Sequence, residues 1–175
     1  MNGKIGVALC CWMILSVGCG SSVSINHDYD PSYDFSALTT YAWLPIKAAP
    51  QMSELRIRRF VNAVDAQMQA KGIQLSTDNP SFLIAMHGST QQAISVQDYG
   101  YSYGPGWGPR TRDVSVTSYE EGTVFVDLVD GETRQLFWRG IATGAAEPSL
   151  SPEQQERKFN DVAARLFANF PPRKR

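Results

Sequence analysis

Catalysis needs groups that exchange protons, attack or coordinate, and this sequence carries few at useful spacing. Only two histidines occur, His27 and His87. Neither has a second histidine or a cysteine at ligand spacing, which argues against a zinc or copper site. The run HDYDPSYD gathers Asp28, Asp30 and Asp34. Calcium is one reading of such a cluster, but the glycine turn and late glutamate of an EF-hand are missing. A turn around Pro31, with Asp34 capping the following FSAL, accounts for the same residues. Glu120 and Glu121 read as a turn with Gly122, and Asp127 and Asp130 belong to a hairpin. No two acids are thereby set across a cleft, as glycoside chemistry requires. Asp127 is expected on the face opposite Val126, paired with Arg134 or Arg139. Serine is plentiful, yet no G-x-S-x-G elbow occurs and no histidine is evidently placed to serve one. The expectation is a protein that is not an enzyme, with no catalytic residue, no metal and no cofactor.

One stretch is unusual in another way. DYGYSYGPGWGPR, Asp98 to Arg110, mixes glycine and proline with three tyrosines and a tryptophan. Its glycines and prolines disfavour a regular strand, and it lacks the lysine of a phosphate cradle. Lying between two strand-like runs, it is expected at the tip of a long antiparallel hairpin. Tyr99, Tyr101, Tyr103 and Trp107 would there form an adaptable contact surface, since such side chains bring large area for few rotatable bonds. The competing reading is a surface loop with no task.

The start of the chain concerns location. MNGKIGVALCCWMILSVGC has one cation, Lys4, then a charge-free apolar run from Ile5 to Val17, then small residues before Cys19. That is the layout of a secretory signal, and the apolar run is shorter than the ~20 residues a spanning helix needs. LSVGC resembles a bacterial lipobox, with Ser16 where leucine is favoured, so residues 1–18 read as a lipoprotein signal and Cys19 as the lipidation site. An ordinary secretory signal or an uncleaved anchor is the alternative. The three cysteines are Cys10, Cys11 and Cys19, so the mature chain would hold no disulfide. Removing residues 1–18 takes away one lysine, leaving 15 cations against 17 acids, a net −2.

Any surface of this kind must be held by a folded body, and the rest of the chain can supply one. With 175 residues, 43% hydrophobic and 19% charged, residues 19–175 suffice for a single globular domain. Net charge is −1 with both signs dispersed, and without a basic stripe nucleic acid is not an expected partner. Val23 and Ile25 alternate before the Asp30-Pro31 break, and LTTYAWL reads as a second strand ended by Pro45. From Ser53 the period becomes helical, with Ile57, Phe60, Val61, Val64 and Met68 on one face; Ser53 caps this helix and Gly72 closes it. PSFLIAMHG is apolar on both faces, as a central covered strand would be, with His87 at its end. It continues through AISVQ, and RDVSVTSY follows the Gly/Tyr run.

TVFVDLVDGETRQLFWRG reads as a hairpin around Asp130-Gly131. For Val124, Val126 and Leu128 to share a face with Leu136 and Trp138, the loop must be odd in length or bulged. Ser151, Pro152 and Gln154 make a capping box with proline at the first helical position. Phe159, Val162, Ala163, Leu166, Phe167 and Phe170 then line one face up to Pro171-Pro172. The expected fold is α+β: a mainly antiparallel sheet of about six strands, with two amphipathic helices packed on one face.

DYDPSYDFSALTTYAW, YEEGTVFVDLVDGETRQLFWRG and the closing FPP resemble the bacterial lipoprotein family called domain of unknown function 4136. The resemblance covers nearly all of the mature chain. It implies an exported, usually lipidated envelope domain with no established reaction, and it supplies no catalytic residues. The expected role is a structural or interaction module, held to the membrane through the lipid on Cys19, with an envelope protein or ligand as partner. The GSS after Cys19 has no aspartate at its second position, which implies sorting to the outer membrane, facing the periplasm. The alternative is a carrier of a small molecule or lipid, using a cavity between helices and sheet.

Overall fold

The computed structural model describes residues 23–46, 52–98 and 114–172, and the backbone alone over 94–98 and 114–117. Cys19, expected to be lipidated, and Tyr99, Tyr101, Tyr103 and Trp107, expected to make contacts, lie outside these. Strand β1 (Ser24–Tyr29) ends at the expected break. Asp30 Oδ1 there accepts the Ser32 amide at 2.8 Å and its hydroxyl at 2.6 Å. Asp34 Oδ1 accepts the Ser36 amide and caps a 3-10 turn over Phe35–Ala37. These aspartates build turns.

After β2 (Thr40–Trp43), helix α1 (Glu54–Ala70) starts at Ser53, whose side chain accepts from the Arg56 amide. Gly72, at φ +77, supplies the left-handed residue that releases the chain. Phe60, Ala63, Val64 and Met68 are its buried residues. Ala63 thus takes the place expected of Val61, which is half-buried. A two-residue strand β3 (Gln74–Leu75) follows, then β4 (Phe82–Asp98), β5 (Val114–Asp130) and β6 (Leu136–Ala145). Helix α2 (Pro152–Leu166) begins with the full capping box of Ser151 and Gln154.

The six strands form one sheet in the order β1-β6-β5-β4-β2-β3. The sheet is mostly antiparallel, as expected, but mixed: β1–β6, β6–β5 and β5–β4 are antiparallel, while β2 pairs in parallel with both β3 and β4. The cause is α1, which carries the chain back along the sheet so that the next strands run in the direction of β2. Both helices cover one face. Phe60, Val64 and Met68 of α1 join Val162, Ala163 and Leu166 of α2 in a single cluster. Phe82, Ile84, Val126, Leu128 and Trp138 of the sheet complete it.

Three expectations need correction. Glu120, Glu121 and Gly122 form no turn but lie inside β5, opposite Gln92, Gln91 and Thr90 of β4. Continuous pairing with β4 overrides the local turn signal. His87 does not end its strand, since β4 runs 11 residues past it to Asp98. Leu136 is not in the core: it is 47% exposed, while Phe137 and Trp138 are both buried. Residues 131–135 separate the two strands, but the Asp130 amide donates to the Gln135 carbonyl, so the parity that the alternation requires comes from a bulge. Leu128 opposes Trp138 but Val129 opposes Leu136, leaving Phe137 as the extra residue. A bulge places two successive side chains on one side, which sends Leu136 to the other.

Candidate functional site

Two places on the body gather groups able to bind something. The first is the face of the sheet away from the helices. Its middle carries Asp127, paired through the register with Arg139 on β6 and Ala85 on β4. Of the two arginines weighed from sequence, the partner is Arg139: its Nε donates to Asp127 Oδ1 at 2.6 Å and its Nη2 to Oδ2 at 2.7 Å. Such a fork-to-carboxylate fit is the strong form of the ion pair. The bond to Asp127 raises the Arg139 pKa further above its usual value, against the opposing effect of burial. Arg139 also lies over the Phe125 ring, 5.7 Å from its centroid. His87 Nε2 stands 3.9 Å from Asp127 Oδ2 with its side chain largely exposed. That distance exceeds a hydrogen bond. Asp127 is thus committed to Arg139, and the cluster has the geometry of a cross-strand clamp rather than of an acid–base pair. Among the described residues, no three of His, Cys, Asp and Glu converge at metal-binding range.

The second place lies between the helices and the sheet. On the helix-facing side, β4 runs Phe82, Ile84, Met86 and then Gly88, while β5 runs Leu128, Val126, Val124 and then Gly122. Strand β6 runs Trp138, Gly140, Ala142 and Gly144. Large side chains fill the core at one end, and at the other the glycines leave a cavity of about 170 Å³. Phe60, Phe159 and Val162 face it from the helices, and Val23 from the start of the described chain. A Cβ built on Gly122 would meet nothing closer than the Gly144 carbonyl oxygen at 3.9 Å, so the floor is open there. Gly140 differs: a Cβ there would lie 2.5 Å from Cη2 of Trp138, whose ring occupies the space.

The rim of this cavity is polar. Lys158 Nζ pairs with Glu147 Oε2 at 3.1 Å and donates to the Ala145 carbonyl at 3.2 Å. Arg56 donates to the Glu147 carbonyl at 3.1 Å. Gln155, almost fully buried, accepts from Arg59 and donates to the Leu150 carbonyl. An apolar pocket with a few placed polar groups is the usual form of a small-ligand site. Sequence reading gave the place, between helices and sheet, but none of its residues. The signal was there as small residues two apart, at Gly140, Ala142 and Gly144, in phase with the core positions.

A third cluster was missed altogether. Asp65 on α1 accepts from the Tyr41 hydroxyl at 2.7 Å and from the Trp43 indole nitrogen at 2.8 Å. Burial first, and then this carboxylate, push the Tyr41 hydroxyl up from its ordinary range. The two polar-tipped aromatics at i and i+2 on β2 were its only trace.

With this geometry in hand, comparison with known proteins decides the family. The model described as "Domain of unknown function (DUF4136)" matches residues 25–172. The chain belongs to that family. No curated protein matches the sequence. Among solved structures, the fold is similar to a PDZ domain protein from Parabacteroides distasonis, with TM-score 0.56 and 10% identity over 89% of this chain. The chain spans only 37% of that protein's length. PelC from Paraburkholderia phytofirmans, solved as a dodecamer, is similar at TM-score 0.50 and 9% identity, over 87% of this chain and 99% of that one. A minor lipoprotein from Acinetobacter baumannii gives TM-score 0.40 and 12% identity, over 75% of this chain and 91% of its own. For the first two, at these identities, the likeness is one of fold alone.

Proposed function

We propose that this protein is an exported lipoprotein, acylated at Cys19 and held to the outer membrane on its periplasmic side, whose folded domain works by binding other envelope proteins. The basic start, apolar middle and small-residue end before Cys19 support the tether, as does the lack of any later cysteine. One observation carries the interaction reading. Strands β4 and β5 pair from Phe82↔Asp130 to Asp98↔Val114, but β6 accompanies β5 only to Glu121 and β2 accompanies β4 only to Ile84. A two-stranded ribbon, residues 92–98 against 114–120, therefore continues past the end of the β5–β6 pairing for about 20 Å, six steps of ~3.4 Å. It leads to the run holding Tyr99, Tyr101, Tyr103 and Trp107, residue types suited to contact. PelC, which shares the fold, is solved as a dodecamer, so a protomer of this shape is compatible with assembly.

The test has two arms. Labelled palmitate should enter the wild type and not Cys19→Ser, and the variant should leave the membrane fraction. Crosslinking in intact envelopes should give products that disappear when the ribbon is shortened. Equal membrane retention of the two forms would remove the tether, and ribbon-independent crosslinks would remove the contact role.

The cavity favours a second reading, a carrier. A volume of about 170 Å³ is in the range where a dry apolar cavity (one of ~150 Å³, for comparison) admits a benzene-sized group. Native mass spectrometry of purified protein should then show a stoichiometric small apolar ligand, lost on organic extraction.

A further inference from the structure

The ribbon has an edge with which no described strand pairs. Strand β2 leaves β4 at Trp43, opposite Ile84, and no described strand pairs with that side of β4 from Met86 onward. A strand edge exposes unpaired amides and carbonyls, and proteins normally blunt it with charge, proline or shortness. The other outer edges of this sheet follow that rule. β1 carries Asp28 and runs at once into Asp30-Pro31, and β3 is two residues long. The free edge of β4 does not follow it. MHGSTQQAISVQ, residues 86–97, contains no lysine, arginine, aspartate, glutamate or proline. The facing strand of the ribbon, β5, is equally free of charge and proline from Val114 to Tyr119. A two-stranded ribbon by itself is marginally stable in water, so this one gains from added strands.

We infer that the uncharged edge of β4 pairs antiparallel with the same edge of a second copy of this chain, joining two ribbons into a four-stranded sheet about a two-fold axis. This rests on the reading of the ribbon as the contact element, and it names the partner. A second copy fits for two reasons. An antiparallel pair of identical edges is self-complementary, so one surface meets itself and the assembly closes. With no charge from Met86 to Gln97, no like charges come opposite each other in any register, a condition that a charged edge would violate. The stretch of β5 beyond β6 is only about half as long as the free edge of β4, so the β4–β4 pairing buries the most unpaired backbone.

The mature chain suits a cysteine test, because Cys19 is its only cysteine and the lipid consumes it. Single cysteines at Gln91, Gln92, Ala93 and Ile94 are introduced into the full chain, exported and oxidised in intact envelopes. At least one should form a disulfide-linked homodimer at twice the monomer mass, while Asp28→Cys and Ser76→Cys at the other two edges should not. Adding Gln92→Lys and Ala93→Lys to the dimerising variant should reduce the homodimer at least tenfold. Its thermal transition should stay within a few degrees of the parent's. No homodimer from any of the four positions overturns the inference. So does equal crosslinking from the two control edges, or a homodimer indifferent to the lysines. Should ribbon-dependent crosslinks then join only other proteins, the pairing inference is wrong and the interaction reading stands. Should no crosslink depend on the ribbon, both are wrong.

Discussion

Arg139 grips Asp127 with two parallel hydrogen bonds across neighbouring strands, and the carboxylate they hold is only 8% exposed while the guanidinium is 41% exposed. The asymmetry decides what each deletion does. Arg139→Ala leaves a buried carboxylate without its partner, and the expected loss is about 1–3 kcal/mol in denaturant unfolding, tempered by the solvent that reaches Arg139. Arg139→Lys keeps the charge but not the fork, so its loss should fall between zero and that of alanine. Replacing both residues by leucine should cost less than Arg139→Ala alone, because no buried charge is then stranded. A double variant worse than the single would show that the pair acts as more than a clamp.

Asp130 performs a different task at the β5–β6 turn. Its Oδ1 accepts the Glu132 and Thr133 amides, and its Oδ2 accepts the Tyr33 hydroxyl at 2.8 Å, from 97 residues away. Tyr33 lies flat on Phe137, with ring centroids 4.0 Å apart. The Thr133 amide first, and then the Tyr33 hydroxyl, hold the Asp130 carboxyl below its ordinary range. A carboxyl whose folded pKa is depressed contributes stability above its unfolded value, near ~3.9, and loses it as pH falls through the folded value. The gap in Tm between wild type and Asp130→Asn should therefore be full at pH 7 and pH 5. It should narrow below about pH 4. A gap independent of pH would mean that the charge on Asp130 contributes nothing to the turn.

Trp138 and Gly140 are fitted to each other. The indole is 2% exposed and stacks on Phe167 at 5.1 Å between centroids. Trp138→Ala should cost roughly 3–5 kcal/mol. Gly140→Ala should cost about 1–3 kcal/mol by overpacking, since its new methyl would meet both the indole and Leu166. In the double variant much of the second loss should vanish, because the ring that the methyl strikes is gone. Strict additivity of the two losses would show that the crowding comes from Leu166 alone.

What could be read from sequence was mostly what neighbouring residues decide among themselves. The capping box at Ser151 and the closing Gly72 were legible because each is set within a few residues. The bulge in the β5–β6 hairpin was legible, as one of two choices, because alternation on both strands constrains the parity. Errors arose where distant pairing wins. Glu120-Glu121-Gly122 carries a turn signal, yet β4 on one side and the end of β6 on the other hold it extended. Strand β3 has two residues and no periodicity, and the parallel placement of β2 depends on where α1 returns the chain. Leu136 moved out of the core because the bulge changed the phase by one residue. The cavity was hardest to see, since a pocket is a place where side chains stop, and its glycines looked like turns or like nothing. The Asp127–Arg139 pair needed only alternation, and it was found as one of two choices.

The cavity can be closed without disturbing its walls. Gly122 has room for a side chain, unlike Gly140, and it sits in a strand where glycine is a poor choice. Gly122→Val should leave the melting temperature unchanged or raise it, by up to roughly 1 kcal/mol of added stability. If the carrier reading is right, the same change should abolish the bound apolar species seen by native mass spectrometry. A strongly destabilised Gly122→Val would mean that the cavity is narrower than its floor suggests. Ligand retained at wild-type stoichiometry would place it elsewhere.

The Gly/Tyr run lies outside the described residues, but the strands on either side of it fix what its removal should do. Asp98 pairs with Val114, and the core cluster lies at the other end of these strands, around Phe82, Ile84, Val126 and Leu128. Stability therefore resides far from residues 99–113 along both strands. Lengthening or shortening a connection changes its closure cost only slowly, at about 0.6 kcal/mol for each doubling of length. Replacing residues 99–108 by a short Gly/Ser linker should leave the thermal transition nearly unchanged. If Tyr99, Tyr101, Tyr103 and Trp107 make the contacts, the replacement should also remove envelope crosslinks that the wild type forms. Restoring the four aromatic residues in an otherwise Gly/Ser segment should then recover part of them, since aromatic side chains carry much of the energy at such surfaces. Global unfolding on replacement would show that the run packs on the body. Crosslinks that survive it would pass the contact role to the strands of the ribbon.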